Sequence, residues 1–256
     1  MKGIIWYNNA IYMISRRGLF MNKVLKALVE QKESKLKGNL YHNTQIKFSY
    51  NTNRIEGSKL TEEETRYMFE TNTTLGSTNN IDDIVETTNH FYLFDYMLES
   101  IDKKLSEDLI KEFHKILKRG TSDERKEWFN VGEYKSLSNE VGGQMTTPPS
   151  KVKEELNEVL NKYNSLNNID INEIVDFHQK FEKIHPFQDG NGRIGRIIMF
   201  RECLKNDITP FIVDDKHKLF YYRGLKEYEQ EKGYLLDTCL SAKDEYNKMV
   251  EEFLGE

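Results

Sequence analysis

An all-α fold, mainly helical with one small β-hairpin, is what this sequence predicts, on three observations. Apolar residues recur at three- and four-residue spacing through most of the chain. Only four prolines interrupt its 256 residues. Glycine and proline crowd into one stretch, 128–149, where Gly132, Gly142, Gly143, Pro148 and Pro149 exclude a continuous helix.

Each element has its own justification. Val24, Leu25, Leu28 and Val29 mark a first helix over 22–33. A polar stretch leads to a short helix over 46–57, closed by Gly57. Thr61 stands three residues before Glu64, a capping-box start. Residues 72–80, rich in Thr, Asn, Ser and Gly, read as a loop. A long amphipathic helix follows over 81–99, and Ser106 caps another that runs to Leu117. The runs 134–141 and 144–147 flank a Gly-Gly turn and predict the hairpin. Ser150 starts the next helix, and Asp170, with Glu173 in the box position, caps one that stops at Pro186. Helices over 194–204, 221–228 and 235–253 complete the chain. No internal repeat emerges. The division is an upstream extension over 1–21, with Met21 as the native start, a helical region over 22–80, and a core over 81–256.

Composition excludes several function classes. A net charge of -5 with no basic stripe argues against a sequence-blind nucleic-acid binder. The apolar residues near the start are broken by Asn8 and Asn9 and are followed by Arg16 and Arg17, the wrong order for a secretory signal and too short for a span. Cys203 and Cys239 sit far apart in apolar helical patterns and read as reduced core residues of a cytoplasmic protein. His114 and His178 lie within amphipathic helices and read as packing residues.

The chemistry concentrates in residues 185–196, His-Pro-Phe-Gln-Asp-Gly-Asn-Gly-Arg-Ile-Gly-Arg. Gly190, Asn191 and Gly192 can take positive φ and turn successive N–H groups toward an anion. The following helix adds its positive end to the same spot. Arg193 and Arg196, three apart, share a face of its first turn. Asp189 at the edge suits a Mg²⁺ that keeps most of its waters. His185, held by Pro186 and Phe187, suits a general base, its ordinary pKa being about 6.5. The pattern points to in-line transfer on a phosphate chain.

The string resembles the signature of the Fic (filamentation induced by cAMP) family, H-x-F-x-[DE]-G-N-G-R-x-x-R, at every defined position. The resemblance implies AMP transfer from ATP to Ser, Thr or Tyr hydroxyls of a protein, including the chain itself. It implies His185 as base, Phe187 as core anchor, Asp189 as Mg²⁺ ligand, Asn191 and the neighbouring amides at the α-phosphate, Arg193 at the β-phosphate and Arg196 at the γ-phosphate. The Doc-type kinases carry Lys where Gly192 stands, and the phosphocholine transferases carry Ala where Gly190 stands. Neither departure occurs here. Thr52, Glu56 and Gly57 resemble the family's inhibitory motif, [ST]-x-x-x-E-[GN], which implies that Glu56 pairs with Arg196 and blocks productive ATP. The motif precedes the catalytic string, as in the subclass with an N-terminal inhibitory helix. The hairpin resembles the flap that holds the target as an added strand, with residues 135–146 expected to line it. Tyr221 or Tyr222 stands where the adenine would stack. Because relatives often self-associate, a homo-oligomer is also implied. No nucleic acid and no membrane are expected as partners. Three alternatives stay open: another nucleotide in place of ATP, removal of AMP with Glu56 positioning water, and a non-enzymatic module whose partner binding follows ATP occupancy.

Overall fold

The computed structural model describes residues 23–75 and 80–255. Residues 1–21, the expected extension with its start at Met21, lie outside them, as does part of the 72–80 loop. Ten α-helices and one hairpin make up the described chain: α1 (Lys23–Ser34), α2 (Leu40–Ile55), α3 (Glu62–Thr71), α4 (Ile81–Glu99), α5 (Glu107–Lys118), β1 (Glu140–Val141), β2 (Gln144–Met145), α6 (Pro149–Asn164), α7 (Ile171–Ile184), α8 (Asn191–Lys205), α9 (Lys218–Glu227) and α10 (Gly233–Leu254). Among the described residues no helix is long and apolar enough to cross a membrane.

Most predicted starts rest on the side chains that predicted them. Thr61 and Glu64 form a reciprocal capping box at α3, and Asp170 and Glu173 form another at α7. Ser106 accepts from the Leu109 amide at the start of α5. Two expectations need correction. The helix expected over 46–57 begins six residues earlier, at Leu40, because Asn39 caps it by accepting from the His42 amide. The polar residues that read as a connector are the buried Thr44 and Gln45, hydrogen-bonded to Tyr246 and Asp95. The hairpin is also shorter than expected. Its strands are two residues each, paired Glu140 to Met145 and Val141 to Gln144 about Gly142 and Gly143.

α8 is the axis of the fold. Every one of its residues except the last, Lys205, is buried, which is the signature of a helix enclosed on all sides. Ile194, Ile197, Ile198 and Phe200 pack into one core with Phe48, Phe94, Phe113, Phe181 and Tyr246. Arg201, also buried, gives hydrogen bonds to the carbonyls of Ser100 and Ile101 just past α4, acceptors that no helical amide reaches. Cys203 and Cys239 are free thiols in a second apolar cluster. α8 packs against α2, α4, α5 and α7, and its amino end follows the turn from α7. The site is there.

Candidate active site

The turn between α7 and α8 is shaped by two backbone reversals. His185 ends α7 in the left-handed region, φ 52°, and Gly190 precedes α8 at φ 83°. Asn191 and Gly192, expected to share positive φ, are instead the first helical residues of α8. The feature that could receive an anion is thus the helix terminus itself, whose first amides have no helical acceptor. The Asn191 side chain is turned the other way. It accepts from the Phe187 amide at 2.8 Å and donates to the Phe187 carbonyl at 2.9 Å, closing the turn as a two-bond clip.

Gly192 is a glycine for reasons of space. A Cβ there would lie 2.2 Å from Glu56 Oε1 and 2.9 Å from Arg196 Nη1. The carboxylate comes from the end of α2, where Gly57 at φ 102° donates to the Arg54 carbonyl and Ser58 to the Asn53 carbonyl. These two bonds form a Schellman stop that fixes Glu56 as the cap residue. Arg196 Nη2 donates to Glu56 Oε1 at 2.6 Å and to the Thr52 carbonyl at 3.1 Å, while Nε donates to Thr52 Oγ1 at 2.8 Å. Thr52 and Glu56, one helical turn apart, hold the same guanidinium. Arg196 Nη1 has no partner.

Asp189 and Arg193 belong to a closed ring of charge whose other members, Lys118 and Glu86, no sequence motif marks. Asp189 Oδ2 accepts from Lys118 Nζ at 2.7 Å and from Arg193 Nη2 at 2.9 Å. Glu86 of α4 completes the ring, taking Lys118 at 2.5 Å and Arg193 Nη1. Asp123 also takes the Lys118 ammonium, at 2.6 Å. Burial would raise the Asp189 carboxyl, but Arg193 and Lys118 outweigh it and hold the group well below the usual carboxylate range. Oxygens of Glu86, Asp123 and Asp189 lie within 4.8 Å of one another, a spacing that would suit a cation. The buried Lys118 already bonds all three. The Asp189 side chain remains 49% exposed toward the mouth of the site. A partly exposed carboxylate of this kind would fit a hydrated divalent ion of the Mg²⁺ type. Lys118 and Glu86 escaped sequence reasoning because they sit 71 and 103 residues before Asp189 in chain order, on helices whose periodicity signals only packing.

The other predicted residues are placed as follows. Phe187 is fully buried and stacks on the His114 ring at 4.0 Å. His114 Nδ1 takes the Gly132 amide, which leaves Nε2 facing the Asp189 carbonyl at 3.2 Å. A residue read as packing thus also pins the turn. Tyr221 is buried, its hydroxyl 2.6 Å from His178 Nε2 and its ring below the Arg196 guanidinium. It supports that arginine and turns no face outward. Tyr222 keeps an open ring, but its hydroxyl donates to the Ile55 carbonyl at the end of α2.

His185 is mostly enclosed, and its Nδ1 has no partner. Burial first, and then the nearby Lys135 ammonium, lower it to about 4, against weaker opposition from the Glu182 carbonyl, Glu56 and Asp189. The ring is therefore neutral at pH 7, the form able to accept a proton.

Comparison with known proteins bears on the family and the fold. Residues 104–203 match the Fic/DOC family model. The chain is 28% identical over 183 residues to the protein adenylyltransferase Fic of Drosophila ananassae, covering 69% of this chain and 35% of that protein. It is 32% identical over 136 residues to a probable protein adenylyltransferase of Aquifex aeolicus, 52% of this chain and 39% of the other. The matched segments thus span little more than a third of these relatives. A Fic-domain-containing signaling protein from Bacteroides thetaiotaomicron shares the fold with a TM-score of 0.66 at 22% identity, over 91% of this chain and 92% of the other. Fic-1 from C. elegans does so with a TM-score of 0.69 at 19% identity, over 96% and 74%. The signature turn, the hairpin and most of the buried central helix all lie within residues 104–203, the segment that carries the Fic/DOC domain match.

Proposed function

We propose that this chain transfers AMP from ATP to a hydroxyl of a protein, itself included, and that Glu56 holds the transfer in check. One observation carries the reading: a neutral imidazole heads the short turn that leads into a buried helix whose two arginines already hold carboxylates. Anionic oxygens occupy the guanidiniums that a triphosphate would use. The relatives named as protein adenylyltransferases support the reaction class.

In this reading the first amides of α8 receive the α-phosphate, and Arg193 and Arg196 receive the phosphates beyond it. His185 takes the proton of the incoming hydroxyl as its oxygen bonds to the α-phosphorus. The bond from that phosphorus to the bridging oxygen breaks, and pyrophosphate leaves with the electron pair. Asp189 would hold Mg²⁺, which when bound offsets phosphate charge. The hairpin presents the target as an added strand. Glu56, bonded to Arg196, must be displaced before a γ-phosphate can take its place. A charge-assisted bond of roughly 1.5–3 kcal/mol makes that about a ten- to hundredfold restraint. This is inhibition by a helix within the same chain.

The test uses wild type, Glu56→Gly and His185→Ala with Mg²⁺ and each labelled nucleoside triphosphate. Label on protein should come chiefly from ATP, rise about ten- to hundredfold in Glu56→Gly and vanish in His185→Ala. Equal labelling of His185→Ala and wild type would remove the base assignment. Undiminished nucleotide binding with no label from any variant would favour a binding module instead.

A further inference from the structure

We propose that Lys135 is a positioning residue for the catalytic imidazole, fastening the base of the hairpin to both sides of the turn that presents His185. The inference rests on the reading of His185 as the base. Its support is geometric. The Lys135 ammonium donates to the Ile184 carbonyl at 3.2 Å, and the Lys135 amide donates to the Pro186 carbonyl at 2.9 Å. A single residue therefore holds the carbonyls immediately before and after His185.

Those carbonyls need holding. α7 stops at Ile184 and Pro186 follows, so no continuing helix supplies their donors. His185 is a non-glycine residue at φ 52°, a conformation that persists only where its surroundings impose it. The same ammonium also donates to Asn139 Oδ1 at 2.8 Å and Thr146 Oγ1 at 2.6 Å. Asn139 and Thr146 flank the two strands, and the Thr146 amide donates to the Asn139 carbonyl at 3.2 Å. Lys135 thus closes the foot of the hairpin and ties it to the turn. The Leu137 amide adds a parallel bond to Gln188 Oε1 at 3.2 Å.

The charge has a purpose as well as the bonds. Lys135 is 4% exposed, and its three side-chain acceptors are neutral oxygens. Burial lowers the ammonium to about 8, with Glu155 opposing at longer range. At pH 7 it is still a cation. Its field disfavours imidazolium, which keeps His185 receptive to a proton, while Glu56, Asp189 and the Glu182 carbonyl act in the other direction. A compact ammonium with three donors suits three oxygens arranged around one point. A planar guanidinium does not.

The test is read on the nucleotide-free protein, so a failure of AMP transfer leaves it intact. Wild type and Lys135→Met are compared by NMR titration of the His185 ring and by hydrogen exchange of the Thr146 amide. In Lys135→Met the His185 midpoint should rise by about one pH unit toward its ordinary ~6.5. Thr146 exchange should quicken by about tenfold or more. Any acid limb of the transfer rate should move up with the imidazole. An unchanged midpoint or unchanged exchange overturns the proposal, as does a wild-type midpoint at or above ~6.5. Should Lys135→Met not fold, the double variant Asn139→Ala with Thr146→Val decides. It should loosen the hairpin foot while leaving the His185 midpoint within about 0.3 of wild type, because the ammonium and its bond to Ile184 remain. A midpoint shift in that variant, or no loosening, overturns it.

Discussion

At the scale of single residues, the site is built by close approach of groups that repel or strain one another unless their neighbours are right. Gly192 admits the Glu56 carboxylate to a place where a Cβ would be 2.2 Å away. Gly192→Ala should therefore destabilise the chain, and by less in a Glu56→Gly background, where that clash is gone. Denaturant melts of the two single variants and the double variant would measure the coupling, expected at about 0.5–3 kcal/mol. Glu182 offers a second test. It is 13% exposed, Oε1 has no partner, and burial raises its carboxyl to about 8 despite the nearby Arg196. A carboxyl whose folded pKa exceeds its unfolded value favours the folded state most at low pH. That advantage is lost as pH rises from about 4.5 through about 8. Glu182→Gln removes the titration, so its stability relative to wild type should grow with pH. The slope across that window should be up to about 1.4 kcal/mol per pH unit, read from urea midpoints at several pH values.

At the scale of elements, helix ends do the positioning. α7 delivers His185, α2 delivers Glu56, and α8 delivers its own amino end. The Asp170–Glu173 box fixes where α7 begins, fourteen helical residues before the imidazole. Asp170→Ala should cost about 1 kcal/mol of stability in chemical denaturation. Its effect on labelling should be small, because Lys135 and Asn191 hold the far end of that helix independently. These ends were largely legible in sequence. Asp170, Thr61, Ser106, Gly57 and Pro186 each act through local chemistry that a few neighbours suffice to specify. The early part of α2 was not legible. Its buried Thr44 and Gln45 are polar, and only the distant Tyr246 and Asp95 make their burial acceptable.

At the scale of the whole molecule, Lys118 shows how the fold holds the site together. Its ammonium is 1% exposed and joins α5 to Glu86 on α4, to Asp123, and to Asp189 in the signature turn. Burial would lower its pKa, yet these carboxylates raise it. Lys118→Met would leave three carboxylates crowded together without their shared cation. The loss should be about 3–5 kcal/mol, measured by thermal or urea unfolding. Added Mg²⁺ should restore part of it if the divalent ion can enter where the ammonium was.

By itself the sequence determined the fold class and the signature turn with its histidine, carboxylate and arginines, while the pairing of Glu56 with Arg196 was implied by the resemblance of Thr52, Glu56 and Gly57 to a family motif. Each of these rests on spacing within a few residues or on a motif whose residues are contiguous. Tertiary structure alone decided that Asn191 clips the turn, that Gly192 serves space and not φ, that Tyr221 lies beneath Arg196, and that Lys118, Glu86 and Lys135 surround the centre. These facts depend on which buried groups meet once the chain is folded, whether four residues apart, as Phe187 and Asn191 are, or 71, as Lys118 and Asp189 are. In a close-packed interior, charge and hydrogen bonding select such partners in three dimensions, and linear spacing carries no trace of the choice.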